Sequence, residues 1–258
     1  PLWSPSYITI SELFRKHSDL IIPDQISLIF QLYDVYRQLT NSTETLDHFY
    51  SWGQLMLADF DDIDKNMVDA DKLFVHLEEW QNMRDFSFLS EEQRKSLEDF
   101  FGTVIDDTNL QQRFNDIWKN LGPVYHAFRT KLQLRGEAYE GMLYREICQK
   151  EQIEFHYKKY IFVGFNLLQK VEKKLFARLM DMDKAEFYWD YDNYYLNNGH
   201  EAGRYIAENL RKFPNELSVE RASEGIDVGE VYQNFSRRKN ITYISAHSEN
   251  IQARYIAH

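Results

Sequence analysis

Carboxylates are the residues of this chain whose spacing comes closest to a chemical site. Six aspartates fall close together, and hard cations such as Ca²⁺ take several oxygens from one loop. The six are Asp59, Asp61, Asp62, Asp64, Asp69 and Asp71. The spacing begins like a calcium loop, but Asp64 stands where the sharp turn needs glycine and Ala70 where a bidentate glutamate is needed. A solvated acidic junction between helices is therefore favoured over a metal site.

A second pair, Asp190 and Asp192, follows an aromatic run that is typical of a strand. Open α/β sheets bind ligands at the carboxyl ends of their strands, so this pair is a candidate ligand site. Aromatic packing beside solvated aspartates is the favoured alternative. The chain has no glycine-rich phosphate loop, no HExxH or GxSxG sequence, and no partner set for Cys148. We expect no catalytic, cofactor-binding or metal-binding residue and no catalytic activity.

Residues 1–156 carry the apolar periodicity of helices. Asp24 is a suitable N-cap for one helix, and Ser42 or Thr43 for the next. The run Ser90-Glu91-Glu92-Gln93 has the form of a capping box and predicts another helix. We expect this part to be acidic and mostly helical.

The strongest helical pattern extends from Leu110 to Leu132. Pro123 lies inside it and should kink the helix. Gly136 is expected to act as the C-cap, and a further helix is predicted from Glu137 to Gln149.

Residues 157–258 show a different pattern. Tyr160 to Val163 is a short apolar run that predicts a strand buried on both faces. Further strands are predicted at Ala185 to Trp189 and Ile241 to Ser245, with helices between them and another helix from Ser248. Residues 214–233 are expected to be a long connection. Strands that alternate with helices predict a parallel sheet, so the fold class is α/β with a large helical region.

Residues 1–156 and 157–258 also differ in charge. The chain carries 15 basic and 27 acidic residues before His156, and Asp24 to Asp107 alone has a net charge of -13. Such a segment repels phosphate, so nucleic acid should meet the later half. A single cysteine, and no apolar run near the ~20 residues of a membrane span, indicate a cytoplasmic protein. A start without methionine suggests an internal fragment.

The sequence around the first predicted strand resembles a known family. Lys159 to Asn166, followed by Glu172 and Leu175-Phe176, is similar to the B subunit of bacterial AddAB helicase-nucleases, which has the UvrD-like helicase fold. Asn240 to Ala246, followed by Gln252-Ala253, looks like the start of the second motor domain. Segments that look like the related PD-(D/E)XK nuclease family proteins are Phe49 to Gly53, Asp59 to Asp64 and Tyr139 to Met142.

The resemblance implies a motor-domain-like, P-loop NTPase-like layer at 157–258, with residues 1–156 as a helicase insertion-like region. An active motor has an Asp-Glu pair at the end of this strand, which supports Mg²⁺ and polarises the attacking water. Here Val163 and Gly164, followed by Phe165, form a degenerate Walker B-like position. We therefore expect the chain to bind neither ATP nor metal.

The implied function is a catalytically inactive helicase-like subunit of a bacterial helicase-nuclease that processes DNA double-strand breaks, acting as a DNA-binding or subunit scaffold. The parent protein would be a subunit of an ATP-dependent helicase/exonuclease. Expected partners are single-stranded DNA and an active helicase-nuclease subunit, and no membrane. DNA contacts need cations and stacking rings, and the candidates are Arg145, Lys158, Lys159, Lys170, Trp189 and Tyr191.

Two other functions stay open. The chain could be an acidic helical protein-interaction module that binds a basic partner and no nucleic acid. A small-molecule enzyme that uses Asp190 and Asp192 is the least favoured, because no nucleophile or base accompanies them.

Overall fold

The structure is a computed structural model that describes residues 4–81, 107–197, 199–217 and 231–256. It is a helix-rich α/β protein whose described strands form a small two-stranded parallel sheet. The chain divides into two compact units, Pro1–Lys158 with Gln169–Arg178, and Lys159–Leu168 with Leu179–His258. The sequence-based division lay between 156 and 157. No helix in the described ranges combines the length and apolar character needed to cross a bilayer.

The first unit is helical. Its helices in chain order are α1 (Ile10–Arg15), α2 (Gln25–Thr40), α3 (Leu46–Lys65), α4 (Ala70–Gln81), α5 (Asp107–Leu134) and α6 (Glu140–Gln149). Helix α7 (Lys170–Asp181) begins in this unit. The capping-box sequence at Ser90 lies outside the described residues.

Side-chain caps fix the start of several helices. The Asp24 carboxylate accepts the Ser27 N–H at 3.0 Å, which confirms Asp24 as the cap of α2. The predicted start of the next helix at Ser42 or Thr43 is wrong, since α3 has Thr45 as its N-cap. The Ser42 hydroxyl instead accepts the Glu44 N–H at 3.1 Å and shapes the turn before the helix.

Helix α5 spans the predicted Leu110 to Leu132 pattern, with Pro123 inside it. Gly136 follows its end with φ of 66°, and the Glu137 N–H donates back to the Leu132 carbonyl at 2.9 Å. This is the glycine-terminated helix end that the sequence predicted. The kink at Pro123 stays a prediction.

The next helix begins three residues later than predicted, because the backbone around Glu137 is engaged elsewhere. Ile21 donates to the Gly136 carbonyl and accepts from the Ala138 N–H, both at 2.9 Å. Those bonds hold the segment in an extended conformation, so α6 starts at Glu140.

Aromatic rings fill the core of the first unit. Phe49 and Trp52 on α3 meet edge to face with centroids 4.4 Å apart, and Phe14 of α1 stacks on Tyr144 of α6 at 4.0 Å. Such ring pairs stabilise the fold beyond what the burial of their apolar area contributes. The stacked pair therefore ties α1 to α6, and the rings of Phe14 and Phe49 are fully buried.

The second unit holds β1 (Tyr160–Val163) and β2 (Ala185–Tyr188), paired in parallel with Phe162 opposite Phe187. Its other elements are α8 (Asn193–Asn197), a 3₁₀ turn (Glu201–Gly203), α9 (Arg204–Lys212) and α10 (Glu249–Ile256). The rings of Phe162, Phe187 and Phe213 pack together, with Phe162 and Phe187 stacked at 5.4 Å. The start of α10 agrees with the helix predicted from Ser248.

Two predictions for the sheet are wrong. Strand β1 is buried on one face only: Tyr160 and Phe162 are buried, whereas Ile161 and Val163 on the other face are 56% and 65% exposed. The predicted third strand, Ile241 to Ser245, has no regular secondary structure and is exposed. A strand forms only against a partner edge, and residues 241–245 pair with neither described strand. The outer edge of β2 is taken by Asn215 and Glu216, and the Glu216 N–H donates to the Phe187 carbonyl at 2.9 Å.

Candidate functional site

Asp64, near the end of α3, is fully buried at the centre of a charged network. Its Oδ1 accepts from the Tyr125 hydroxyl at 2.6 Å and from Arg145 Nη1 at 3.2 Å. Its Oδ2 accepts from Arg129 and from the Tyr139 hydroxyl. Each carboxylate oxygen therefore has two donors, and the network joins α3, α5 and α6.

The hydrogen bonds and ion pairs of this network hold α3, α5 and α6 together. Burial raises the pKa of Tyr139 well above its ordinary value, and burial also raises the pKa of Tyr125, so both remain hydroxyl donors. A substrate would have no access to the carboxylate, since Asp64 has no exposed surface. The expectation that Asp64 belongs to a solvated acidic junction is wrong, because its charge is neutralised inside the fold.

A second polar cluster links α3 to α6 through Lys65. The Lys65 Nζ lies 2.7 Å from Asp61 Oδ2 and 2.8 Å from Glu140 Oε2. The Gly141 N–H donates to Asp61 Oδ1 at 2.5 Å, and the Tyr144 hydroxyl to Glu140 Oε1 at 2.8 Å. The segments Asp59 to Asp64 and Tyr139 to Met142 thus meet each other in these two networks.

Two further aspartates of the acidic run have local partners. The Asp69 carboxylate accepts the Lys72 N–H at 3.2 Å near the start of α4, and Asp71 lies 2.9 Å from His126 Nε2. Across the part of the chain that the structure describes, no group of three or more His, Cys, Asp or Glu side chains is arranged to hold a metal ion.

Asp192, after the end of β2, binds backbone amides. Its Oδ2 accepts the Phe235 N–H at 2.7 Å and its Oδ1 the Tyr194 N–H at 2.9 Å. The hydrogen bond from Phe235 is the main cause that lowers the pKa of Asp192. Asp192 therefore holds the segment around Phe235 next to the end of β2. Asp190 is exposed.

The segment fastened by Asp192 presents exposed rings beside cations. Tyr194 and Phe235 stack with centroids 4.1 Å apart while remaining 40% and 45% exposed. Lys239 Nζ lies 5.1 Å from the centroid of the Phe235 ring, and Arg237 and Arg238 are exposed. We name these five residues the aromatic–basic surface.

Two of the expected DNA contacts lie inside the protein. Trp189 is 3% exposed, and its indole N–H donates to the Phe213 carbonyl at 3.1 Å. Arg145 donates to Asp64 and, at 2.8 Å, to the Val68 carbonyl. Trp189 therefore offers no face for a base, and the guanidinium of Arg145 is committed to the buried network, so neither placement fits a DNA contact.

The other expected contacts lie nearer the surface. Tyr191 is half-buried and stacks on Tyr232 at 4.1 Å. Lys158 and Lys170 are exposed, and Lys159 lies 3.4 Å from Asp183 and 3.7 Å from Glu186. The carboxylates beside Lys159 offset its charge, which weakens its fit to a phosphate contact.

The degenerate Walker B-like position ends β1. Val163 closes the strand, Gly164 follows with φ of 79°, and Phe165 meets Phe162 edge to face at 6.1 Å. The turn favours glycine because side chains rarely adopt positive φ. The residues at this strand end carry no carboxylate.

Comparison of this chain with protein-family models, with curated proteins and with solved structures finds no match.

Sequence reasoning missed the aromatic–basic surface, although a signal for it was present. Residues 231–248 contain three consecutive cations, Arg237, Arg238 and Lys239, and no acidic residue. In a chain with a net charge of -11, such a stretch next to an aromatic residue is a pattern typical of phosphate and base binding.

Proposed function

We propose that the chain forms part of a catalytically inactive, helicase-like subunit of a bacterial helicase-nuclease for DNA double-strand breaks, and that it binds single-stranded DNA as a scaffold. The observation that carries the proposal is the aromatic–basic surface, where exposed stacked rings adjoin three cations. Binding of single strands without sequence preference needs this combination. Strands β1 and β2 pair in parallel and α7 lies between them in the chain, which supports the helicase-like assignment. The absence of an acidic residue at the end of β1 supports the inactive site.

The DNA-binding part is tested by fluorescence anisotropy with a labelled oligothymidine over a salt series. Wild type should bind, and its affinity should fall as salt rises. Phe235→Ala should weaken binding by the ~1 to 3 kcal/mol of one base stack. Tyr7→Ala is the matched control, since Tyr7 is 87% exposed in the other unit.

The role of charge is tested by the triple variant Arg237→Glu/Arg238→Glu/Lys239→Glu. It should abolish most binding and reduce the salt slope by roughly 2 if three phosphates are contacted. The control variant Lys16→Glu/Arg37→Glu/Lys72→Glu has the same change in net charge at exposed sites of the first unit and should retain binding. Equal losses in both variants, or no binding by wild type, would contradict the proposal.

The inactive-motor part is tested separately by ATP turnover and by nucleotide-induced thermal shift. We expect neither signal, because no residue at the end of β1 can hold Mg²⁺ or polarise water. Robust turnover would overturn this part while leaving the DNA measurement intact.

The second candidate is the acidic protein-interaction module, which the net charge of -13 from Asp24 to Asp107 favours. It predicts no affinity for the oligonucleotide at any salt concentration. The anisotropy experiment therefore separates the two functions.

A further inference from the structure

The outer edge of β1 is open within the described part of the chain. Tyr160 donates its N–H to Lys184 at 2.7 Å, so it and Phe162 direct their backbone groups toward β2. Alternate residues of a parallel strand face opposite edges, so Ile161 and Val163 direct theirs away from β2. The described residues place no strand on that side.

The open edge is also apolar. Ile161 and Val163 project from the same face of β1 and are 56% and 65% exposed. Lysine, proline and bulges commonly protect edge strands from pairing with another chain, and β1 itself contains none of them. This edge can therefore accept a further strand.

The same unit exposes a segment with the properties of a strand. Residues 240–245 read Asn-Ile-Thr-Tyr-Ile-Ser, with no charge and no proline. Ile241 is 64% exposed, Tyr243 is 92% exposed, and both fall on one face if the segment is extended. Uncharged segments rich in β-branched and aromatic residues readily pair as strands.

A second copy of this chain is the occupant that fits both features. The single chain leaves residues 240–245 and the β1 edge unpaired with each other, although they belong to one unit. Each of two copies supplies one open β1 edge and one strand-like segment, so a reciprocal exchange uses both of each and closes into a symmetric dimer.

We propose that two copies of this chain associate by reciprocal strand addition, in which residues 240–245 of each copy pair along the outer edge of β1 in the other. The proposal is independent of DNA binding, since it uses no residue of the aromatic–basic surface.

The test measures the mass of the full chain by light scattering during size-exclusion chromatography over a concentration series. Wild type should reach twice the 31.0 kDa of one chain. Val163→Pro removes an N–H from the open edge but none from the β2 pairing, so it should give the single-chain mass. Val163→Thr keeps that N–H and should remain dimeric.

A second variant leaves β1 unchanged, so its result does not depend on whether a β1 variant misfolds. Tyr243→Asp places a charge in the exposed segment and should also give the single-chain mass, whereas Tyr7→Asp should not. A wild type that stays at the single-chain mass, or a dimer unaffected by both Val163→Pro and Tyr243→Asp, would overturn the proposal.

Disulfide formation shows whether residues 240–245 pair with β1 of a second copy or with β1 of their own chain. Val163→Cys chains mixed with Tyr243→Cys chains should form a crosslinked heterodimer under mild oxidation, and Cys148 does not interfere because it is buried. Tyr7→Cys replaces Tyr243→Cys in the control. A double variant that crosslinks only within one chain would show that the segment closes on its own β1 and would overturn the dimer.

Discussion

At the scale of single residues, position in the fold decides what each carboxylate does. Asp64 and Asp62 stand two positions apart in one acidic run, yet Asp64 is fully buried between four donors and Asp62 is exposed. Position 64 lies one helical turn after the buried Phe60, so the apolar spacing of α3 indicates that Asp64 faces inward. The sequence does not show the partners that receive its charge, because they depend on where α5 and α6 bring Tyr125 and Tyr139.

Asp64→Asn should lower the free energy of unfolding by about 3 to 5 kcal/mol, because it leaves the Arg129 and Arg145 charges without their buried counterion. Urea denaturation measures the loss. Asp62→Asn, with the same chemical change on the surface of the same helix, should stay within about 0.5 kcal/mol of wild type. Similar losses in both variants would refute a special role for Asp64.

Glu140 gives a prediction about pH. Burial acts to raise its pKa, but hydrogen bonds from Lys65, Tyr144 and Ser11 outweigh burial and bring the pKa to about 2 from an ordinary value of 4.5. A carboxyl whose pKa is lower in the folded chain stabilises it above the unfolded pKa, and this contribution disappears as pH falls through the folded pKa. The stability difference between wild type and Glu140→Gln should therefore be constant at neutral pH and shrink progressively below about pH 4.5.

Urea denaturation of both proteins along a pH series measures this difference. Glu151→Gln changes an exposed carboxyl after α6 and serves as the control for the loss of one surface charge. A Glu140→Gln difference that is independent of pH would contradict the assignment.

At the scale of elements, local signals predicted what local chemistry controls. The Asp24 cap, the Gly136 helix end and the apolar runs of β1 and β2 follow from propensity and hydrogen bonding between near neighbours. The burial of β1 and the fate of residues 241–245 did not follow, because both depend on which partner covers a face or an edge. Helix α4 was also missed, and its start depends on the Asp69 cap.

The packing of α3 against α6 depends on a glycine. A Cβ at Gly141 would meet the backbone carbonyl of Asp61, which cannot move aside as a side chain can. Gly141→Ala should therefore destabilise the protein by roughly 1 to 3 kcal/mol.

Thermal and urea denaturation measure the effect of Gly141→Ala. Gly122→Ala is the comparison within α5, where the three atoms nearest to the added Cβ belong to the Phe74 side chain, at 3.2 to 3.3 Å. Because that ring can shift, Gly122→Ala should change stability by less than about 1 kcal/mol. A Gly141→Ala protein as stable as wild type would show that the helices can separate at no cost.

At the scale of the whole molecule, charge is distributed unevenly along the chain. The acidic stretch from Asp24 to Asp107 belongs to the first unit, and the acid-free stretch 231–248 belongs to the second. Sequence reasoning predicted that nucleic acid would meet the later half, and that expectation now underlies the proposed function. It did not find the ring pair that would make the contact, because the stacking of Tyr194 on Phe235 brings together residues 41 positions apart.

The bridge between Ile21 and the turn after α5 bears on how the protein is made. The two backbone bonds of Ile21 go to Gly136 and Ala138, so residues 136–138 must leave the ribosome before the segment around Ile21 has a docking place. Loop closure over that separation is entropically unfavourable until α5 has formed its glycine-terminated end. During synthesis, α1 and the strand-like residues around Ile21 therefore become ordered only after α5 and α6 have been translated.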